Sequence, residues 1–351
     1  MTENNGHMLA AVLYGRELLK VEQVAIPVPG ESDVLVRVQA ALTCGTDLKV
    51  WRQGYHARMI VPPAIFGHEL AGIVAESGEA VRDRFPVGMR VVAANSAPCN
   101  ECFFCRKGSP NLCEDLVFIN GAYAEYALIP SRILRENLIE IPPHLSFVDA
   151  ALVEPLACVL RGIHETGIQP GDTVAVIGCG PIGLKFVRIL SRRGVRVIAI
   201  GKRSSQIKVA ERLGAAATID VSQTGDPVGA VRQLTYRQLG ADAVIEAVGS
   251  QATWQWAVQM ARCGGAVNLF GGCPHETRVE FESSVLHYSE ITIKSSFHHT
   301  PRFIREALDT VARGEVAASD FVTGEVTLNE LPDLFHHMKN RNGQLKVAVK
   351  P

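Results

Sequence analysis

Thr173-Val174-Ala175-Val176-Ile177-Gly178-Cys179-Gly180-Pro181-Ile182-Gly183 is the stretch that decides the fold of this chain. Thr173–Ile177 is a short apolar run of buried-strand type. Pro181–Arg193 then carries Ile182, Phe186, Ile189 and Leu190 at helical spacing. Between them stands G-x-G-x-x-G. The first glycine permits a tight turn, the second lets a pyrophosphate approach the backbone, and the third lets helix pack on strand. The helix N-terminus supplies free N–H groups and the positive end of its dipole. In this strand–turn–helix context Gly178, Gly180, Pro181, Ile182 and Gly183 read as a dinucleotide-binding turn.

The same rhythm continues downstream. Arg196–Ile200 reads as a strand and Ser205–Leu213 as a helix. Further strands follow at Ala217–Ile219, Ala243–Glu246, Ala266–Phe270 and Ile291–Lys294. Apolar strands alternating with helices predict a doubly wound parallel sheet of α/β class. Upstream the style differs: Ala10–Tyr14, Val34–Ala40, Gly72–Glu76 and Arg90–Ala93 are short strands between Gly-, Pro- and Asn-rich turns, which predicts a β-rich lobe. The tail beyond 294 is too short for an independent domain and is expected to rejoin that lobe. The expected division is 1–155 with 295–351, and 156–294.

An NAD-binding strand pair usually offers an acid to the ribose about 20 residues after the turn. Here the second strand runs into Gly201-Lys202-Arg203-Ser204 instead. The glycine is expected to leave room, and Lys202 and Arg203 suit a 2′-phosphate through charge-assisted hydrogen bonds. NADP is therefore the preferred cofactor and NAD the alternative. A solvated basic loop is the plainer explanation of the same residues.

Composition narrows the rest. The chain has 351 residues, 47% apolar and 20% charged, with formal net charge −1. That balance gives no electrostatic case for nucleic acid or an anionic membrane. No apolar stretch reaches the roughly 20 residues of a membrane span. The polar lead before Met8 lacks a signal-peptide core, so a cytoplasmic protein is the expectation.

Four of nine cysteines crowd into Cys99, Cys102, Cys105 and Cys113, spaced C-x2-C-x2-C-x7-C. Four thiolates so close can enclose a structural zinc with no open position. Iron–sulfur ligation is the chief rival, but the x7 gap and the lack of a proline after Cys113 depart from the bacterial ferredoxin run. A second metal would need other ligands. Candidates are Cys44 in Thr43-Cys44-Gly45-Thr46-Asp47, His68 and Glu69 in Phe66-Gly67-His68-Glu69, and Glu154 in Val153-Glu154-Pro155. Singly, a buried cysteine, a lone histidine or a Glu-Pro helix start is more often structural.

Together, Cys44-Gly45-Thr46-Asp47, Gly67-His68-Glu69, the four-cysteine loop and the glycine turn make the chain resemble the zinc-containing medium-chain dehydrogenase/reductase superfamily over nearly its whole length. Glu154-Pro155 resembles its polyol and threonine dehydrogenase branch. The resemblance implies a GroES-like catalytic domain beside the Rossmann sheet, one structural zinc, and one catalytic zinc held by Cys44, His68 and Glu154. Glu69 is then an alternate ligand or a water-mediated neighbour. It also implies Thr46 as a proton relay, with helix capping as its plainer role. Hydride would pass between a small alcohol or polyol and the nicotinamide.

The substrate would enter between the lobes, with Lys49, Trp51, Tyr55 and His56 as wall residues and Phe297–Pro301 closing the pocket. His298 and His299 read as polar lining or surface. Lys49 stands where polyol dehydrogenases carry a histidine, so a cyclitol, an amino alcohol or a simple secondary alcohol stays open beside a polyol. A homodimer or homotetramer is expected, paired through Ile291–Lys294. The rivals are a zinc-free quinone or enoyl reductase of the same superfamily and a non-enzymatic binding protein. The Cys44, His68 and Glu154 set argues against both.

Overall fold

In the computed structural model, which describes residues 6–56, 58–339 and 344–351, the chain divides into two compact units. One comprises Met1–Ala157 and His299–Pro351, the other Cys158–His298.

The second unit is built on six parallel strands. Their order is Ala217–Asp220, Arg196–Gly201, Thr173–Ile177, Ala241–Glu246, Ala261–Leu269 and Thr292–Lys294. The chain moves outward from Thr173–Ile177 in one direction and then returns to its other side, so the direction of winding switches there. Ligands of open α/β sheets bind at the carboxyl ends beside that switch. Helix Pro181–Arg192 buries Leu184, Phe186, Val187, Ile189 and Leu190. Full burial of such side chains contributes about 1.5–3 kcal/mol each. The strand expected at Ala266–Phe270 starts earlier, at Ala261, and ends before Phe270. A register shift between Ala241 and Ala243 absorbs the irregular pairing at that end.

The first unit carries an antiparallel-rich sheet with the path Leu138–Glu140, Arg90–Ala93, Glu69–Ser77, Val34–Leu42, Lys346–Lys350 and Val322–Thr327, with Tyr126–Ile129 added on Val34–Leu42. The C-terminal strand Lys346–Lys350 pairs with Val34–Leu42 through Ala348 opposite Leu42. The core includes Trp51, Phe66, Tyr123 and Phe335.

Two expectations need correction here, and one strand was not anticipated. A strand at Leu18–Ala25 forms a hairpin with His7–Gly15. Strand one begins at His7, before Met8, while the rest of that lead, residues 1–5, lies outside the described residues. Trp51 is no pocket wall: it is 1% exposed and packs on Phe335 and His336 in the core. Among the described residues no helix is long and apolar enough to cross a membrane.

Candidate active site

Sheet pairing brings the first ligand candidates together. Leu42 at the end of one strand lies opposite Glu69 at the start of the next, so Cys44 and His68 emerge side by side. Cys44 sits at the N-cap of helix Gly45–Gln53 in extended conformation, and its Sγ accepts the Thr46 N–H at 3.4 Å. Asp47 completes the cap by accepting the Cys44 N–H at 3.1 Å. Cys44, not Thr46, is therefore the capping residue, which removes the plainer role considered for Thr46. Gly67 turns the chain with φ +84, and a Cβ there would lie 2.7 Å from the Tyr123 ring.

The ligand atoms of Cys44, His68 and Glu69 all lie within 4.8 Å of one another. His68 is 5% exposed, and its Nδ1 is 2.8 Å from Asp47 Oδ1. That contact commits Nδ1 and leaves Nε2 as the nitrogen available to a metal, the usual arrangement of a ligating histidine. Burial works against a charged His68, but the Asp47 carboxylate and the Cys44 sulfur outweigh it and hold the imidazole well above its ordinary value. Asp47 also accepts the Tyr123 hydroxyl at 2.5 Å. Burial, then Asp47, push the Tyr123 phenol well above its ordinary range.

Glu69 is fully buried. Lys346 Nζ donates to both of its oxygens, at 2.7 and 2.5 Å, and to the Thr43 carbonyl at 2.8 Å. Burial opposes the Lys346 ammonium, but the Glu69 carboxylate overrides it and raises its pKa.

Glu154 lies in the first turn of helix Val153–Thr166 and is buried. Burial pushes its carboxyl up to about 7, with His68 pulling the other way. Its Oε1 is 3.7 Å from His299 Nε2, and that nitrogen also meets Asn95 Oδ1 at 3.0 Å. His299 is thus an interior residue, 2% exposed, rather than surface. His298 adopts φ +69, and buried Arg161 donates to its carbonyl at 2.9 Å. Lys49 is exposed on its helix, Tyr55 is exposed, and His56 is half-buried with Nδ1 accepting the Arg58 and Met59 N–H groups.

The four-cysteine loop fits a zinc on its own geometry. The Sγ separations are 3.4 Å for Cys99–Cys113, 3.9 Å for Cys102–Cys113 and 4.0 Å for Cys99–Cys105. A tetrahedron with zinc–sulfur bonds of about 2.3 Å has edges of about 3.8 Å. Backbone N–H groups point at the sulfurs, Cys99 to Cys113 at 3.2 Å and Cys102 to Cys99 at 3.3 Å. Such donors favour thiolate, and with the Cys105 N–H foremost they hold Cys102 down to about 6. All nine cysteines are free of disulfides.

In the second unit the glycine turn has the geometry its spacing predicts. Gly178 has φ +105, and a Cβ on Gly183 would stand 1.7 Å from the Gly178 carbonyl oxygen. A Cβ on Gly180 would meet nothing within 4 Å, leaving space at the N-terminus of helix Pro181–Arg192. Pro181 stands in the first turn, where its missing N–H costs no helix hydrogen bond. One detail differs from the sequence reading. Gly201 does not leave a void: Ile207 and the Cys179 sulfur fill the place of its Cβ, at 2.9 and 3.0 Å. Lys202 is exposed and Arg203 stands at the N-cap of helix Ser204–Arg212.

Sequence reasoning missed Lys346, Tyr123, Asn95 and the part played by Asp47. Asp47 had a signal, three residues after Cys44 at a helix start. Lys346 had none, since it sits in an alternating strand where a lysine reads as solvent-facing.

The chain as a whole is similar to known proteins. The model of the alcohol dehydrogenase GroES-like domain matches residues 30–142, and that of the zinc-binding dehydrogenases matches residues 181–313. Sorbitol dehydrogenase of Bacillus subtilis is 29% identical over 353 residues, covering 98% of each chain. Probable D-xylulose reductase A of Aspergillus clavatus is 30% identical, covering 95% of this chain and 94% of its own. A protein described as a zinc-binding dehydrogenase of Sinorhizobium meliloti, solved with NADP bound, is 35% identical with TM-score 0.89, covering 98% and 99%.

Proposed function

The chain belongs to the zinc-binding alcohol dehydrogenase family, and on that premise we propose that it interconverts a small polyol and its ketone at a zinc held by Cys44, His68 and Glu154. It is a zinc- and NAD(P)-linked oxidoreductase acting on CH–OH groups. The observation that carries the site assignment is the His68 Nδ1–Asp47 contact, which leaves Nε2 as the nitrogen available to a metal beside Cys44. Cysteine, histidine and carboxylate are chemically suited to zinc, and the second zinc is assigned to Cys99, Cys102, Cys105 and Cys113.

When bound, zinc supplies Lewis-acid polarisation of the substrate oxygen and the nicotinamide takes the hydride. Thr46 receives the departing hydroxyl proton and passes it outward, beside exposed Lys49. Buried Glu154 and His68 exclude water from the reacting oxygen. Gly178, Gly180, Pro181, Ile182 and Gly183 seat the pyrophosphate, and Lys202 and Arg203 favour NADP over NAD by facing its 2′-phosphate. The Sinorhizobium relative with NADP bound supports that preference. Polyol names among the relatives support the substrate class. A cytoplasmic homo-oligomer, paired through edge strand Thr292–Lys294, completes the reading.

The test is Thr46→Val beside Glu154→Gln. Thr46→Val is expected to depress kcat by about 10²-fold or more, the usual worth of a positioned proton-transfer group, with zinc content intact. Glu154→Gln is expected to lose the catalytic zinc. Normal turnover in both variants would contradict the site.

A further inference from the structure

We propose that Arg161 is a positioning residue for substrate choice: it holds the Phe297–His298 turn in the shape that selects a polyol over a simple alcohol. The inference rests on the polyol reading of the proposed function.

Geometry carries it first. Arg161 is 7% exposed, in helix Val153–Thr166. Its Nη1 donates to the Phe297 carbonyl at 2.5 Å and to the His298 carbonyl at 2.9 Å, and its Nη2 stands 3.6 Å from Glu165 Oε1. Glu165 also pairs with Lys294, the last residue of strand Thr292–Lys294. Between these anchors lies Ser296, whose Oγ meets Asn268 Nδ2 at 2.9 Å, and the same Nδ2 meets Thr166 Oγ1 at 2.8 Å. Lys294, Ser296, Phe297 and His298 are thus all tied to one helix. The chain enters this unit at Cys158 and leaves it at His298, so Arg161 fastens the way in to the way out. His298 has φ +69, a left-handed shape that costs a non-glycine residue free energy and persists only where its surroundings impose it. The guanidinium on the Phe297 and His298 carbonyls imposes it here.

Chemistry gives the turn its task. The Phe297 and His298 rings stack with centroids 5.6 Å apart, so the turn aims both together. The next residue, His299, brings its Nε2 to 3.7 Å from Glu154 Oε1, so the chain runs from this turn directly into the proposed zinc site. A polyol carries hydroxyls beyond the reacting carbon, and the His298 imidazole offers them a donor and an acceptor. A simple secondary alcohol has none to place there, and a site built to bond a hydroxyl discriminates against a substrate without it. Stability alone is a poor reason for Arg161. Burial draws its pKa below the ordinary value, and buried ion pairs are often replaceable by apolar residues without loss.

The experiment compares wild type, Arg161→Met and Arg161→Lys, zinc-loaded and with NADP, on sorbitol, xylitol and 2-butanol. Arg161→Met is expected to raise KM for the polyols by about tenfold or more, the scale of a misplaced binding segment, with kcat little changed. Its kcat/KM for 2-butanol, its zinc content and its NADP affinity are expected to match wild type. Arg161→Lys, which can still donate to both carbonyls, is expected to keep most of the polyol preference. A wild-type ratio of polyol to 2-butanol in Arg161→Met would overturn the proposal. So would an equal loss on both substrates, the result a merely structural arginine would give. If Arg161→Met does not fold, Glu165→Gln decides, because it keeps the guanidinium and removes its anionic partner. A raised polyol KM in Glu165→Gln, with 2-butanol unaffected, supports the proposal, and an unchanged ratio overturns it. No polyol turnover by the wild type would overturn the polyol reading itself, whatever 2-butanol does, and the inference with it.

Discussion

Asp47 Oδ1 stands 2.8 Å from His68 Nδ1, and that contact decides which nitrogen of the ring is left for a metal. The same carboxylate accepts the Tyr123 hydroxyl and the Cys44 N–H, so one side chain sets both the histidine and the cap that holds the cysteine. Asp47→Asn is expected to weaken zinc at this site by about 10–100-fold in a chelator competition, with Tyr123→Phe causing a smaller loss in the same direction. Unchanged zinc affinity in Asp47→Asn would remove the orienting role.

Zinc and protons compete for the same groups. In the metal-free protein His68 is held well above its ordinary value and Glu154 is pushed up to about 7. Both folded-state values exceed those of the unfolded chain, so the bound protons stabilise the metal-free fold at low pH. That stabilisation is lost as pH rises through about 7 for Glu154 and through the raised value of His68. Zinc takes the place of those protons. The gain in Tm on adding zinc should therefore be larger at pH 8 than at pH 6. A gain that shrinks with pH would contradict the ligand assignment.

The two metal sites should empty independently. Cys105→Ser is expected to remove one zinc equivalent, with loss of thermal stability, because a structural site contributes folding energy directly. Cys44→Ser should remove the other equivalent and abolish turnover while the four-cysteine loop keeps its metal. Elemental analysis of the two variants checks this, and a single variant that loses both metals would show the sites to be coupled.

Gly180 and Gly183 should fail differently. A Cβ on Gly183 would collide with the Gly178 carbonyl at 1.7 Å, whereas one on Gly180 meets no protein atom within 4 Å. Gly183→Ala is expected to lower Tm and cofactor affinity together. Gly180→Ala should keep Tm and lose cofactor affinity by tenfold or more, about 1.4 kcal/mol, because only the bound pyrophosphate would meet the new methyl group. Calorimetry of unfolding and of NADP binding separates the two cases.

The Rossmann sheet was legible because its strands are continuous apolar runs and its turn needs glycines at fixed offsets. Thr173–Ile177 and Arg90–Ala93 keep the bounds read from sequence. The hairpin strand Leu18–Ala25 was passed over although Leu19 and Val21 alternate with Lys20 and Glu22, the period-2 pattern of a half-buried strand. Ligand candidates at Cys44, His68 and Glu154 could be read from their local words. The Lys346–Glu69 pair could not: the two are 277 residues apart in sequence and meet only through sheet pairing. Trp51 failed for a related reason, because facing the core or a pocket depends on Phe335, far along the chain.

The central claim is zinc-dependent hydride transfer from a small polyol, and one measurement tests it most directly. Reduced nicotinamide would be followed in zinc-loaded protein with NADP and NAD across polyols, cyclitols, amino alcohols and simple secondary alcohols. Turnover of a polyol, faster with NADP, is the predicted result, and a Lys202→Ala/Arg203→Ala variant should lose the NADP preference. No turnover of any alcohol in the panel by protein that holds its zinc would contradict the account.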